Sequence, residues 1–244
     1  MATLFVSDLH LDPAWPDTLR CFIEVLESPA RGAEALYILG DLFEIWIGDD
    51  HIDPAFEPLL EALRRLDAAG TPVWLMHGNR DFLIGETFLR RAGCRPLDDP
   101  HRVTLYGRDT LLMHGDSLCT DDTEYQHLRA RLRDPRWQRE VLARPVSERL
   151  AMARQARAAS DRATRDKPRD IMDVNQDAVR EAMRAHGVTR LIHGHTHRPR
   201  IHRFGLDGRD AERIVLGDWY REPSLLWLDH DGARFENINP GAPP

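Results

Sequence analysis

Seven side chains able to donate oxygen or nitrogen to a cation recur along this sequence, each just past a short apolar run. Asp8 and His10 follow residues 3–6, Asp41 follows 35–39, Asn79 follows 73–76, His114 follows 110–113, and His195 and His197 follow 191–192. None is a thiolate. A carboxylate shared between two cations, with histidine, aspartate and asparagine completing each shell, is a borderline-hard dinuclear site that suits Mn2+, Fe2+ or Zn2+. The Asp-x-His and His-x-His spacings put two donors on one side of an extended chain, where side chains alternate with period two. Two cations about 3.5–4 Å apart clamp a phosphoryl group and activate water. A single histidine at a strand end is more often a capping residue than a ligand. Five such endings together are hard to produce by packing alone.

The elements that must position these donors follow from the pattern. Short β-branched and aromatic runs ending in Gly, Asp, Asn or His read as buried strands. Residues 19–26, 56–66 and 82–91 carry helical apolar spacing, the second closed by Gly70 and Pro72 and the third by Gly93. Alternating strands and helices predict an α/β fold: a mainly parallel sheet with helices on both faces and ligands at the carboxyl ends of its strands. The steps Asp8 to Asp41, Asp41 to Asn79 and Asn79 to His114 are 33, 38 and 35 residues, each one strand–helix–strand unit. His114 to His195 is 81 residues, so an insertion sits between them. Asp134-Pro135 and Arg144-Pro145 break helical runs there, and residues 147–165 are rich in Ala and Arg. The expectation is one domain over 1–244 with a small cap of two or three helices at about 122–169. After His197, residues 201–204, 213–216 and 224–228 read as an antiparallel flank to the sheet.

Composition narrows the class. The chain is 42% hydrophobic and 30% charged, with a net charge of −7, which suits a packed domain and argues against a nucleic-acid partner. At this length the fold buries roughly 70–75% of the unfolded surface. No apolar run approaches the roughly 18–20 residues that span a bilayer, and the expectation is that no secretory signal is present. Cys21, Cys94 and Cys119 are odd in number and lack C-x-x-C spacing, which points to a reducing, cytosolic setting. The acidic balance hides an asymmetry: residues 125–169 hold twelve Arg and Lys167 against five acids, a local +8. Interleaved Tyr125, Leu128, Leu132, Trp137, Val141, Leu142, Val146 and Leu150 are either the underside of the cap or a groove for acyl chains. On the second reading, basic residues such as Arg129, Arg133, Arg136 and Arg149 face anionic lipid.

The strings Asp8-Leu9-His10, Gly40-Asp41, Gly78-Asn79, His114-Gly115 and Gly194-His195-Thr196-His197, in this order and spacing, resemble the calcineurin-like metallophosphoesterases over essentially the whole chain. The resemblance implies that family's α/β sandwich, with the cap as an insertion. Where the family usually has Gly-Asn-His, this chain has Gly78-Asn79-Arg80. Longer strings, among them Gly40-Asp41-Leu42-Phe43-Glu44 and Gly78-Asn79-Arg80-Asp81-Phe82, resemble the branch that cleaves the pyrophosphate of UDP-2,3-diacylglucosamine to UMP and a lipid monosaccharide phosphate in lipid A synthesis. That resemblance implies two Mn2+, one held by Asp8, His10, Asp41 and His197, the other by Asp41, Asn79, His114 and His195. It implies substrate contacts from Asn79, Arg80, Asp122, Ser160, Thr164, Lys167 and His195, with Asn79, Arg80 and His195 closest to the chemistry. The branch commonly has Asn at the position of Thr164. The implied partners are a lipid-linked nucleotide sugar and, peripherally, the cytoplasmic face of the inner membrane.

The bland alternatives are specific. Arg80 could form a surface ion pair with Asp81, Asp122 could be a helix N-cap, and Ser160, Thr164 and Lys167 could be a solvated stripe on one helix face. His51, His101, His127, His186, His193, His202 and His230 have no assigned role. Two other functions compete: a dinuclear phosphodiesterase for soluble nucleotides, and a non-catalytic scaffold, against which all seven donor positions are filled.

Overall fold

The computed structural model describes residues 1–166, 173–220 and 223–238, with side chains for all of these except 161–166. Lys167 therefore lies outside the described residues, and so does the side chain of Thr164. Strands β1 (Ala2–Val6), β2 (Ala33–Leu39), β3 (Val73–Met76) and β4 (Cys94–Leu97) pair in parallel, in that order. On the other side of β1, antiparallel strands β10 (Ser224–Asp229) and β11 (Gly232–Asn237) complete a six-stranded sheet. The remaining strands, β5 (His101–Leu105), β6 (Arg108–Met113), β7 (Arg190–His193), β8 (Arg200–Leu206) and β9 (Arg209–Val215), form a second sheet. Its order is β5-β6-β7-β9-β8, with β6, β7 and β9 parallel.

The fold is thus an α/β sandwich of two sheets, where strand spacing alone suggested one. Alternation explains the layers. On β1, Phe5 enters the core between the sheets with Tyr37, Leu39, Leu112, Ile192 and Ile214, while Leu4 and Val6 face helices. Those helices are α1 (Pro16–Glu27), α2 (Glu57–Ala68) and α3 (Glu86–Ala92), which bury Phe22, Leu59, Leu63 and Phe88 against the first sheet. The outer face of the second sheet is covered by α7 (Gln176–Ala185) through Val179 and Met183. Strands with an apolar layer on each side read as unbroken apolar runs, so their sequence could not say whether the second layer was helix or sheet.

Three further differences follow. Of the runs expected as an antiparallel flank, 201–204 in β8 is antiparallel to β9 and 224–228 in β10 is antiparallel to β1, but they belong to different sheets, and 213–216 lies mostly in β9, which runs parallel to β7. The helix expected from residue 82 starts only at Glu86, because the Asp49 carboxylate accepts hydrogen bonds from the N–H groups of Gly85 and Phe88 and acts as a remote N-cap. Helix α7 and strands β4, β5 and β11 were not anticipated.

The basic stretch folds into three helices, α4 (Thr123–Leu132), α5 (Pro135–Leu142) and α6 (Val146–Asp166). Asp122 caps α4 by accepting from Tyr125 N, and Asp134 caps α5 ahead of Pro135. Among the described residues no helix is long and apolar enough to cross a membrane. All three cysteines are free and buried.

Candidate active site

The donors meet where β1, β2, β3, β6 and β7 end, so the two sheets contribute to one site from opposite sides. Asp8, His10, Asp41, His195 and His197 all adopt the left-handed backbone region, with φ of 54°, 50°, 52°, 67° and 55°. Non-glycine residues hold that conformation only when their surroundings over-determine it. Here the loops are laced together: Asp8 N donates to Gly40 O, His10 N to Asp41 O, and Gly194 N to His114 O. Two glycines permit the approach. A Cβ on Gly78 would lie 2.0 Å from Asp41 Oδ1, and one on Gly194 would lie 2.4 Å from Asp8 Oδ2. The Gly-Asn and Gly-His steps therefore bring one loop within touching distance of the carboxylate on another.

All seven expected donors come together. His10 Nε2 lies 4.0 Å from Asp8 Oδ1, 3.8 Å from Asp41 Oδ2 and 3.4 Å from His197 Nε2. His197 Nε2 is 3.3 Å from Asp8 Oδ1, an oxygen that is buried without a hydrogen bond. On the other side of Asp41, Oδ1 is 3.8 Å from His114 Nε2, while Asn79 Oδ1 is 2.9 Å from both His114 Nε2 and His195 Nδ1. The groups Asp8, His10, His197 and Asp8, Asp41, His114 each bring three potential ligand atoms within 4.8 Å of one another. Two imidazole nitrogens facing each other beside an orphaned carboxylate oxygen are the arrangement a cation would resolve, so the residues fit a metal centre.

The outer nitrogens support the same orientation. His114 Nδ1 is 2.9 Å from Leu39 O, His10 Nδ1 is 2.9 Å from Glu44 Oε2, and His197 Nδ1 is 3.5 Å from Asp218 Oδ2. An acceptor on the outer nitrogen leaves the inner one free to bind a cation. The electrostatics of the site without a cation are sharply opposed. Burial alone would raise Asp8, but His197, then His114 and His10, hold it well below the usual carboxylate range. Burial opposes charge on both His114 and His195. Asp41, Asp116 and Asp8 nevertheless raise His114 to about 9, while burial and the charge on His114 push His195 down to about 4.

Around the donors, Asp81 is buried and accepts from Gly78 N and Leu42 N at 2.7 Å each. Its carboxyl is raised to about 6 by burial and by neighbouring Asp41. Asp81 thus holds the Gly78-Asn79 turn against Asp41, and the Arg80–Asp81 ion pair does not form. Arg80 instead donates its backbone N–H to Asp41 Oδ1, and its Nε is buried without a partner.

The three helices dock on this site through arginines. Arg157 pairs with Glu44, and Ser160 is one turn further along the same face of α6. Arg129 pairs with buried Asp116, and Arg133 donates to the carbonyls of His77 and Gly78. Arg149 is 2% exposed and bonds Asp50 and the Ile47 carbonyl. Arg129, Arg133 and Arg149 are therefore inward tethers and do not face lipid, because each finds a buried acceptor on the core. Arg136 remains exposed, as do Arg131, Arg139 and Arg154. Trp137 and Val141 pack on the core, whereas Leu128 and Leu142 are 48% and 41% exposed.

Several contributors were missed from sequence, Asp218 and Tyr220 beside the histidines among them. Glu44 and Asp81 are embedded in strings that already stood out, and only their burial reveals their contacts. Tyr125 was read as an apolar contact, yet its ring stacks on His195 at 5.7 Å and its hydroxyl donates to Asp116. His193, taken as ordinary, is fully buried with Nδ1 2.8 Å from Gly194 O.

A family model described as calcineurin-like phosphoesterase matches residues 1–199. A protein of Chromohalobacter salexigens named UDP-2,3-diacylglucosamine hydrolase is 54% identical over 227 residues, covering 93% of this chain and 92% of its own. One of the same name from Xanthomonas oryzae pv. oryzae is 51% identical over 245 residues, covering 98% and 99%. Among solved structures, one described as a novel archaeal phosphodiesterase superposes with a TM-score of 0.50 at 15% identity, covering 98% of this chain and 100% of that one, which speaks to the fold alone.

Proposed function

Because this chain belongs to the calcineurin-like phosphoesterase family, we propose that it hydrolyses the pyrophosphate bond of UDP-2,3-diacylglucosamine to UMP and 2,3-diacylglucosamine 1-phosphate, a step of lipid A synthesis. The observation that carries the reading is two donor groups that meet at Asp8, with the oxygens of Asp41 lying 3.8 Å from His10 on one side and 3.8 Å from His114 on the other, and the unpartnered Nε of Arg80 beside them. Asp8, His10, Asp41 and His197 would hold one Mn2+, and Asp41, Asn79, His114 and His195 the other. When bound, such a pair supplies Lewis acidity to the phosphoryl oxygens and an activated water.

The chain's own residues do the rest. The planar guanidinium of Arg80 offers two donors to the pyrophosphate oxygens, and its backbone bond to Asp41 keeps it in register with the metal ligands. Asn79 and His195 face the same phosphate, and Tyr125 stacked on His195 limits that ring's rotation. Asp122 at the N-cap of α4 and Ser160 of α6 contact the substrate, and the family resemblance adds Thr164 and Lys167. Residues 122–169 act as a cap over the site, with the acyl chains leaving past exposed Leu128 and Leu142. Exposed Arg131, Arg136, Arg139 and Arg154 hold the enzyme peripherally on the cytoplasmic face of the inner membrane.

The test is mass spectrometry of products from UDP-2,3-diacylglucosamine with Mn2+ and with EDTA, beside a soluble nucleotide diester. UMP and the lipid monophosphate, formed only with metal and much faster than diester cleavage, are the expected outcome. Faster cleavage of the soluble diester would favour a nucleotide phosphodiesterase.

A further inference from the structure

Glu44 sits where the metal ligands meet the helical segment, and its carboxylate is shared three ways. Oε2 lies 2.9 Å from His10 Nδ1 and accepts from the Tyr220 hydroxyl at 2.6 Å. Oε1 pairs with Arg157 of α6. The Tyr220 ring stacks on His10 at 5.0 Å and 15°. The side chains of Glu44 and His10 are 11% and 3% exposed, so these contacts are made largely out of water, where one group's orientation constrains the next.

We infer that Glu44 is a positioning residue that joins the metal site to the cap: it holds His10 with Nε2 toward the metal while its other oxygen clamps α6 through Arg157. A carboxylate this close to the outer nitrogen of a metal-binding histidine favours the proton on that nitrogen and restrains the ring. Here the same carboxylate serves His10, Tyr220 and Arg157 together, so turning it away from one disturbs the others. A cation that seats His10 would therefore hold Glu44 in the orientation that Arg157 needs, and α6 would be more firmly docked in the loaded protein. By reciprocity, a docked α6 would favour metal retention.

The inference rests on the metal-site reading above, and the experiment separates the two. The full chain and its Glu44→Ala, Glu44→Gln and Arg157→Gln variants are titrated with Mn2+ by electron paramagnetic resonance. Amide hydrogen exchange over residues 146–160 is followed with and without Mn2+. The parent should bind two Mn2+ and show slower exchange in α6 when loaded. Glu44→Ala should weaken one of the two ions by about 10–100-fold and abolish the exchange response. Glu44→Gln, nearly isosteric, keeps a carbonyl for His10 but loses the charge for Arg157. It should retain both ions within about threefold of the parent yet lose the α6 response, as should Arg157→Gln. Two tight ions in Glu44→Ala, or an α6 response unchanged in Glu44→Gln and Arg157→Gln, would overturn the inference while leaving the metal site standing. A parent that binds no Mn2+ would instead overturn the metal reading, and this inference with it.

Discussion

Gly78→Ala isolates the close approach on which the site depends. The new Cβ would lie 2.0 Å from Asp41 Oδ1 and 2.2 Å from Asp41 N, both well inside the 3.0 Å that Cβ atoms respect. Neither atom can yield easily. Asp41 is already held at φ 52°, and its Oδ1 accepts from Arg80 N at 2.8 Å. The turn carrying Asn79 must therefore retreat by about 1 Å, a misplacement that typically costs about a hundredfold in rate. Overpacking of this kind also costs about 1–3 kcal/mol, or roughly 2–12 °C in Tm for a chain of this size. Gly32→Ala is the control, since a Cβ there meets nothing within 4 Å. Calorimetry in EDTA, Mn2+ binding at equilibrium and product release should all separate the two variants. If Gly78→Ala matches Gly32→Ala in Tm and in Mn2+ affinity, the contact between the Asn79 turn and Asp41 is not what assembles the site.

Four other outcomes are expected. Asp41→Ala should lose both metal ions and all measurable turnover, because its two oxygens face opposite donor sets; turnover within tenfold of the parent at full metal content would contradict the shared-carboxylate geometry. Arg80→Ala should lower kcat/KM by about 2–4 kcal/mol of transition-state stabilisation with metal content intact, and full activity would mean Arg80 does not touch phosphate. Burial, with Arg213 beside it, pushes His193 down to about 3 from 6.5, so its contribution to stability is complete above pH 6.5 and is lost as pH falls toward 3, at up to about 1.4 kcal/mol per pH unit. Denaturant melts of His193→Gln in EDTA should show a shallower decline across that window than the parent, and parallel curves would exclude His193 as the source. Replacing Arg131, Arg136, Arg139 and Arg154 by Gln should weaken sedimentation with anionic vesicles without lowering Tm, whereas Arg149→Gln should lower Tm because it strips a buried tether from Asp50 and Ile47. Equal vesicle binding by the fourfold variant would remove the membrane role of those arginines.

Much of this molecule was legible in the chain because its determinants are local. The donors at Asp8, Asp41, Asn79, His114 and His195 each end a strand whose apolar run declares it, and the 33–38-residue steps between the first four state the strand–helix–strand repeat. Pro135 and Pro145 divide the basic stretch into three helices with Asp122 and Asp134 as caps, since proline and capping side chains act within a single turn. The tertiary structure decided everything that depends on what lies across a gap. Apolar runs on β1 and β6 report burial on both faces but not whether the covering layer is helix or sheet, so the pattern itself left the split into two sheets to the family resemblance, and the packing of Phe5 with Ile192 decides it. The arginines show the same principle: Arg136 and Arg149 are alike in sequence, yet one meets solvent and the other the Ile47 carbonyl and Asp50. The direction of a charged side chain is set by the acceptors packed opposite it. Those acceptors, Glu44 for Arg157 and Asp50 for Arg149, lie about a hundred residues away along the chain and come near only when the loops at the strand ends fold together.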